Sequence, residues 1–153
     1  MTQEMRDKRV ADIATAAQST NDQVVVGDVA VSRTGIAFSM ENRTNSEFIY
    51  GEPYDVACYA DGDWVPVTHL PGAGGGYWTL PAYPLPSGET KQYRREWDWR
   101  FGELPPGRYM FLLGGWLGKW HPNIETLYAI VIFDITADSP VSFPEADGEN
   151  QFR

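Results

Sequence analysis

His69 and His121 are the only histidines of the chain. Neither belongs to a His-x-x-x-His pair or a comparable ligand spacing, so a metal site or a general base would lack its partners. Asp61-Gly62-Asp63 offers two carboxylates. A calcium loop of the EF-hand type needs further oxygen ligands at set spacings, and they are missing, whereas Asp-Gly between two strand-like runs is a hairpin turn. Ser32, Ser39, Ser87 and Ser142 have no nucleophile-elbow context. Cys58 alternates with Tyr54 and Val56, which puts its thiol on an inward face, where a nucleophile has no use. The run Gly72 to Gly76 lacks both the lysine and the helix of a phosphate loop. Asn42-Arg43-Thr44 is a glycosylation sequon in form only. These residues implicate no catalytic group, no metal and no cofactor.

The tryptophans are the remaining chemical resource. Trp64, Trp78, Trp97, Trp99, Trp116 and Trp120 are a heavy load for 153 residues. Trp97 reads as core by alternation. Trp78, Trp99, Trp116 and Trp120 lie in or beside loops, where aromatic rings can form a platform for sugars or an anchor for a protein partner. The competing reading has them capping an open end of the core. Gly114, Gly115 and Gly118 would let the Trp116–Trp120 stretch approach a ligand closely, and Asn123 and Glu125 follow in the same loop to meet sugar hydroxyls.

Such groups need a rigid frame, and the turn Leu104-Pro105-Pro106-Gly107-Arg108-Tyr109 indicates which one. Prolines and a glycine turn the chain, and the short apolar run Tyr109 to Leu113 follows as a buried strand. Gly107 and Tyr109 fit a tyrosine corner, in which the ring packs inward and the hydroxyl bonds back to the corner backbone. Val24 to Val31, with a kink at Gly27, reads as a first strand. Ile36 to Asn42 alternates cleanly, with Ile36, Phe38 and Met40 on one face. Tyr54 to Tyr59 and Trp64 to Thr68 flank the Asp-Gly turn, and Pro66 assigns the second of these to a sheet edge. Thr90 to Trp97 has Lys91, Tyr93, Arg95 and Trp97 on one side. Pro81 to Pro86 reads as irregular. Leu127 to Thr136 is apolar on both faces apart from Asp134, so it should lie inside a sheet or be covered on both sides.

About seven strands with no useful helical stripe make an all-β, antiparallel β-sandwich over residues 23–137. Residues 1–22 and the acidic tail 138–153 read as flexible and polar, because Val10 and Ile13 alone give a helix spanning Arg9 to Gln18 little to bury. The longest apolar run, Leu127 to Phe133, has seven residues, against the roughly 20 of a membrane helix. A net charge of −9 and a pI near 4.6 argue against nucleic acid as a partner. With one cysteine, no internal disulfide can form.

In order and spacing these motifs resemble a bacterial immunoglobulin-like domain family found in exported proteins and lipoproteins. The resemblance rests on Asn42 with the polar Arg43 to Glu47, on Tyr50-Gly51-Glu52, and on Trp64 beyond Asp61-Gly62-Asp63. It continues through Pro86-Ser87-Gly88-Glu89-Thr90-Lys91, Trp97, Phe101-Gly102-Glu103-Leu104 and Gly107-Arg108-Tyr109. Met110 departs from it, since a basic residue often follows the corner tyrosine. The Gly72 to Gly76 insert and Trp120-His121-Pro122 are also peculiar to this chain. The resemblance implies an immunoglobulin-like type for that sandwich, structural roles for Trp64, Trp97, Gly107 and Tyr109, and export from the cytoplasm, with a cytoplasmic location as the alternative. The expected function is a non-catalytic module that binds, or supports binding, at the bacterial surface, its partner an unknown protein or glycan. A carbohydrate-binding module using the loop tryptophans is the first alternative. A small enzyme or inhibitor domain with a site in the Trp116 to Thr126 loop is the second.

Overall fold

The computed structural model describes residues 22–68, 70 and 82–143. His69, Trp78, the Gly72 to Gly76 run, most of the N-terminal segment and the end of the tail lie outside the described residues. Two antiparallel sheets face each other. The smaller has the order β1 (Val24–Ser32), β2 (Gly35–Asn42), β7 (Thr90–Glu96). The larger is built on β8 (Gly107–Leu117), which pairs with β9 (Leu127–Ile135) along one edge. Its other edge is shared: Tyr109 to Leu112 pair with β4 (Asp55–Ala60), and Gly115 to Leu117 with β3 (Phe48–Tyr50). β5 (Asp63–Pro66) and β6 (Tyr83–Leu85) are the outer strands on that side.

Alternation explains the core. Ile36, Phe38 and Met40 from β2 meet Tyr109, Phe111 and Leu113 from β8 between the sheets, with Trp97, Phe133 and Ile135 beside them. β1 shifts register between Gly27 and Ala30, and Asp28 takes a positive φ of 50° there, the kink expected at the glycine. Ala60 pairs with Asp63, so Asp61-Gly62 is a two-residue hairpin, with φ 52° and 87°. Positive φ at both central residues is the turn whose twist matches that of paired strands, and it accounts for the Asp-Gly choice. Pro66 ends the edge strand β5 as expected.

The tyrosine corner is present. The Tyr109 ring is buried and its hydroxyl donates to the Pro105 carbonyl at 2.6 Å. Burial, with Cys58 opposite it on β4, pushes the phenol up to about 12. A raised folded-state value favours the neutral phenol, so its stabilisation is complete below pH 10 and is lost as pH rises through about 12. Tyr109→Phe should cost about 1 kcal/mol at neutral pH. Urea midpoints of the two proteins should converge between pH 10 and 12; a constant gap would show that the phenol does not contribute in this way.

Several expectations need correction. The strand through Trp97 stops at Glu96, and Trp97 leads into a four-residue helix, α1 (Asp98–Phe101). Pro81 to Pro86 is not wholly irregular: Tyr83–Leu85 pairs with β3, and Pro84, which has no amide to donate, is tolerated because β6 is an edge. For β9 the second of the two expected alternatives holds, since it is hydrogen-bonded on one side only, to β8. Its apolar residues are accounted for by burial on both faces rather than by a central place in the sheet: Ala129, Val131, Phe133 and Ile135 face the main core, and Ile130 belongs to a separate cluster on the outer face. Met110, the residue after the corner tyrosine, belongs to that cluster too. Cys58 is half-buried against the main core, not enclosed, and partial burial pushes its thiol up. The described start of the tail is fastened. Arg33 donates to the carbonyls of Thr136, Ala137 and Ser139, and its amide to that of Pro140.

Candidate functional site

β8 and β9 form the longest ladder of the fold, running from Gly107↔Ile135 to Gly115↔Leu127. The chain between them leaves the sandwich at the same end as the Asn42–Phe48 turn, because the Gly118 amide bonds to the Glu47 carbonyl at 2.8 Å. Gly118 takes a φ of +74°, and a turn closes where the Ile124 amide reaches the His121 carbonyl at 3.0 Å. Trp120 stands on this loop with 58% of its surface exposed, and His121, Asn123 and Glu125 are exposed around the same turn. Trp116 lies within β8 opposite Ile49 and is half-buried. It falls on the outward side of the sheet, in alternation with Met110 and Leu112.

The tryptophans considered together from sequence do not converge. Trp99 is 52% exposed but sits on α1, at the end of the molecule where β8 begins. Trp116 and Trp120 lie at the other end. β8 separates the two ends by roughly 33 Å at the usual rise per strand residue. Trp78 lies outside the described residues. The described group is therefore Trp116, Trp120, Asn123 and Glu125. Trp64 and Trp97 are buried structural residues, Trp97 with its indole N–H donating to the Arg33 carbonyl at 3.0 Å and its ring stacked against Phe111 and Phe133.

Two further residues organise this region and the flank below it. Asn42 is fully buried and uses its whole amide: Nδ2 donates to the carbonyls of Ser46 and Leu85, and Oδ1 accepts from the Thr44 amide and hydroxyl. The sequon asparagine is thus a staple for the Asn42–Phe48 turn, legible in hindsight as an Asx turn. Arg100 is buried on α1. It donates to the Tyr54 carbonyl at 2.5 Å, pairs with Asp55 at 3.3 Å, and lies over the Tyr54 ring at 4.9 Å. Arg95 covers the same ring at 5.4 Å, and Lys91 lies 5.5 Å from both Tyr50 and Tyr83. Lys91 and Arg95 therefore share one side of β7 at the sandwich edge, Lys91 exposed and Arg95 half-buried, with their charges on tyrosine faces. Burial raises the Tyr54 phenol, opposed by the charges of Arg100 and Arg95.

Among the described residues the groups displaced from their ordinary ionisation are Tyr54, Cys58, Tyr93 and Tyr109, in every case chiefly by burial. Among the described residues no three His, Cys, Asp or Glu side chains gather to hold a metal ion, and no helix is long and apolar enough to cross a membrane. No curated protein matches the chain. A family model described as a bacterial Ig-like domain matches residues 19–111, from the approach to β1 through the first residues of β8. The two-sheet architecture agrees with that match, and the chain belongs to the bacterial Ig-like domain family.

Proposed function

We propose that this non-enzymatic Ig-like module works outside the cytoplasm and binds at the bacterial cell surface through the loop between β8 and β9. The observation that carries the reading is Trp120, exposed on a glycine-flanked loop that the longest strand pair of the fold holds rigidly at its base. A large ring displayed on a fixed frame loses little freedom when it binds, which favours a contact residue over a packing one. Among possible ligands the reading favours a neutral glycan. Trp120 offers a face for stacking, and Asn123 and Glu125 on the same turn offer an amide and a carboxylate for hydroxyls. The net charge of −9 disfavours polyanions.

Tryptophan fluorescence across a panel of soluble cell-wall and plant polysaccharides tests this. At least one neutral glycan should change the wild-type emission, and Trp120→Ala should reduce affinity about tenfold or more, in line with the loss of an aromatic anchor. A response that persists in Trp120→Ala places the site elsewhere, and silence from every glycan removes the sugar and leaves a protein partner.

A further inference from the structure

The loop that carries Trp120 has a neighbour. β3 and β8 pair in the register Phe48↔Leu117, and the Gly118 amide, bonded to the Glu47 carbonyl at 2.8 Å, carries that ladder one step beyond the strands. The Asn42–Phe48 turn and the Trp116 to Thr126 loop therefore rise side by side from one fixed point. Asn45 stands two residues beyond it on one chain, and Trp120 two residues beyond it on the other. Two residues of chain span at most about 7 Å, so the backbone of each stays close to the shared bond.

The turn is fixed on both sides of Asn45. The Asn42 amide binds the Ser46 carbonyl and the Thr44 amide, the Thr44 hydroxyl donates to Asn42 and lies 2.9 Å from the Ser46 carbonyl, and Ser87 donates to the Thr44 carbonyl. The Asn45 side chain joins none of these bonds. It is exposed, and among the described residues no hydrogen bond engages its amide. Asparagine is favoured in turns because it tolerates a positive φ or because its side chain bonds to the turn itself. The described non-glycine residues with positive φ are Asp28 and Asp61, and the side chain that closes this turn is that of Asn42. Neither reason accounts for Asn45. The exposed charges of the two loops balance, Arg43 and Lys119 against Glu47 and Glu125, so the surface around Asn45 and Trp120 favours neither ionic sign.

We infer that Asn45 is a second contact residue of the Trp120 site, and that the ligand is a neutral oligosaccharide of two rings or more. One ring stacks on Trp120, and the next is hydrogen-bonded by the Asn45 amide. The inference rests on the glycan reading proposed above and extends the site from one loop to two. An amide both donates and accepts, which suits adjacent sugar hydroxyls. Because the turn backbone is already held, ordering the Asn45 side chain costs only its own rotamer freedom.

Calorimetric titration of the full chain with neutral oligosaccharides of glucose, xylose and N-acetylglucosamine, graded from monosaccharide to hexasaccharide, tests the second contact. In the wild type at least one series should bind, more tightly as one ring becomes two or three. Asn45→Ala should weaken binding of the longer members about fivefold, in line with one hydrogen bond, and leave the single ring unchanged. Its unfolding midpoint should equal that of the wild type, because the amide holds nothing in the fold. Trp120→Ala should weaken every length. Wild-type binding that Trp120→Ala reduces and Asn45→Ala leaves intact at all lengths would overturn this inference while the glycan reading stands. An Asn45→Ala loss that is equal at all lengths, or that comes with a lower unfolding midpoint, would overturn it too, by making Asn45 part of the frame. Silence from every series would overturn the inference together with the glycan reading on which it rests.

Discussion

Gly115→Ala is expected to destabilise the protein by about 3 kcal/mol or more, at the upper end for overpacking a core. Gly115 lies on the inward side of β8 where β3 pairs alongside it. A Cβ there would collide with the Ile49 carbonyl and stand 2.7 and 2.8 Å from atoms of the Phe48 ring. The ring is fully buried, and the carbonyl is backbone in a paired strand, so neither can yield cheaply. Gly114→Ala provides the control. Its Cβ would point outward and meet the Tyr128 ring at 3.2 Å and the Thr126 methyl at 3.3 Å, both side-chain atoms that can shift. The two substitutions change strand propensity and chain entropy alike, so their difference isolates the close packing of β3 against β8. Equilibrium urea unfolding should place the Gly115→Ala midpoint far below that of Gly114→Ala, which should lie within about 1 kcal/mol of wild type. Equal midpoints would show that β3 can move away at little cost.

Trp97→Ala should cost about 3–5 kcal/mol, the range for truncating a fully buried large aromatic. The ring is 0% exposed and its centroid lies 6.3 Å from that of Phe111 and 6.1 Å from that of Phe133, so truncation opens a cavity between two inward rows. Trp97→Phe separates packing from hydrogen bonding. It keeps an aromatic ring and gives up only the indole N–H to the Arg33 carbonyl. That carbonyl still accepts from the Leu104 amide at 2.8 Å, so it is not stranded. The phenylalanine variant should therefore lose about 1–2 kcal/mol, from one hydrogen bond and the smaller ring. Unfolding free energies measured for both variants check the division; a phenylalanine variant as weak as the alanine one would make the indole N–H, and not the ring stack, the dominant contribution.

The strands on the hydrophobic core were legible because their signal is local. Ile36, Phe38 and Met40 alternate with smaller or polar neighbours, and side chains on successive strand residues point to opposite faces whatever the strand packs against. The Asp61-Gly62 hairpin, the kink at Gly27 and the tyrosine corner were legible for the same reason: each is a demand on φ or on one nearby hydrogen bond, which a few adjacent residues can meet. β6 escaped notice because proline disfavours strands on average, and only the tertiary arrangement shows that β6 is an edge, paired with β3 alone. The length of α1 is a turn and no more, too short for a periodicity to show.

The candidate site was half legible. Trp120 with Asn123 and Glu125 share one loop, and proximity in sequence is enough to bring them together. Trp99 could not be separated from them by reading residues, since membership of one surface depends on which end of β8 each loop leaves. Asn42 and Arg100 were missed as organisers because their partners, Leu85 for one and Tyr54 with Asp55 for the other, lie far along the chain. By itself the sequence determined the fold class, the tyrosine corner and the family, all of which rest on short-range spacing and backbone preference. The tertiary structure alone decided which tryptophans share an end, which strands are edges, and that Met110 and Leu112 lie buried on an outward face. Those facts depend on strand order and on the path of distant segments, and no local pattern encodes either.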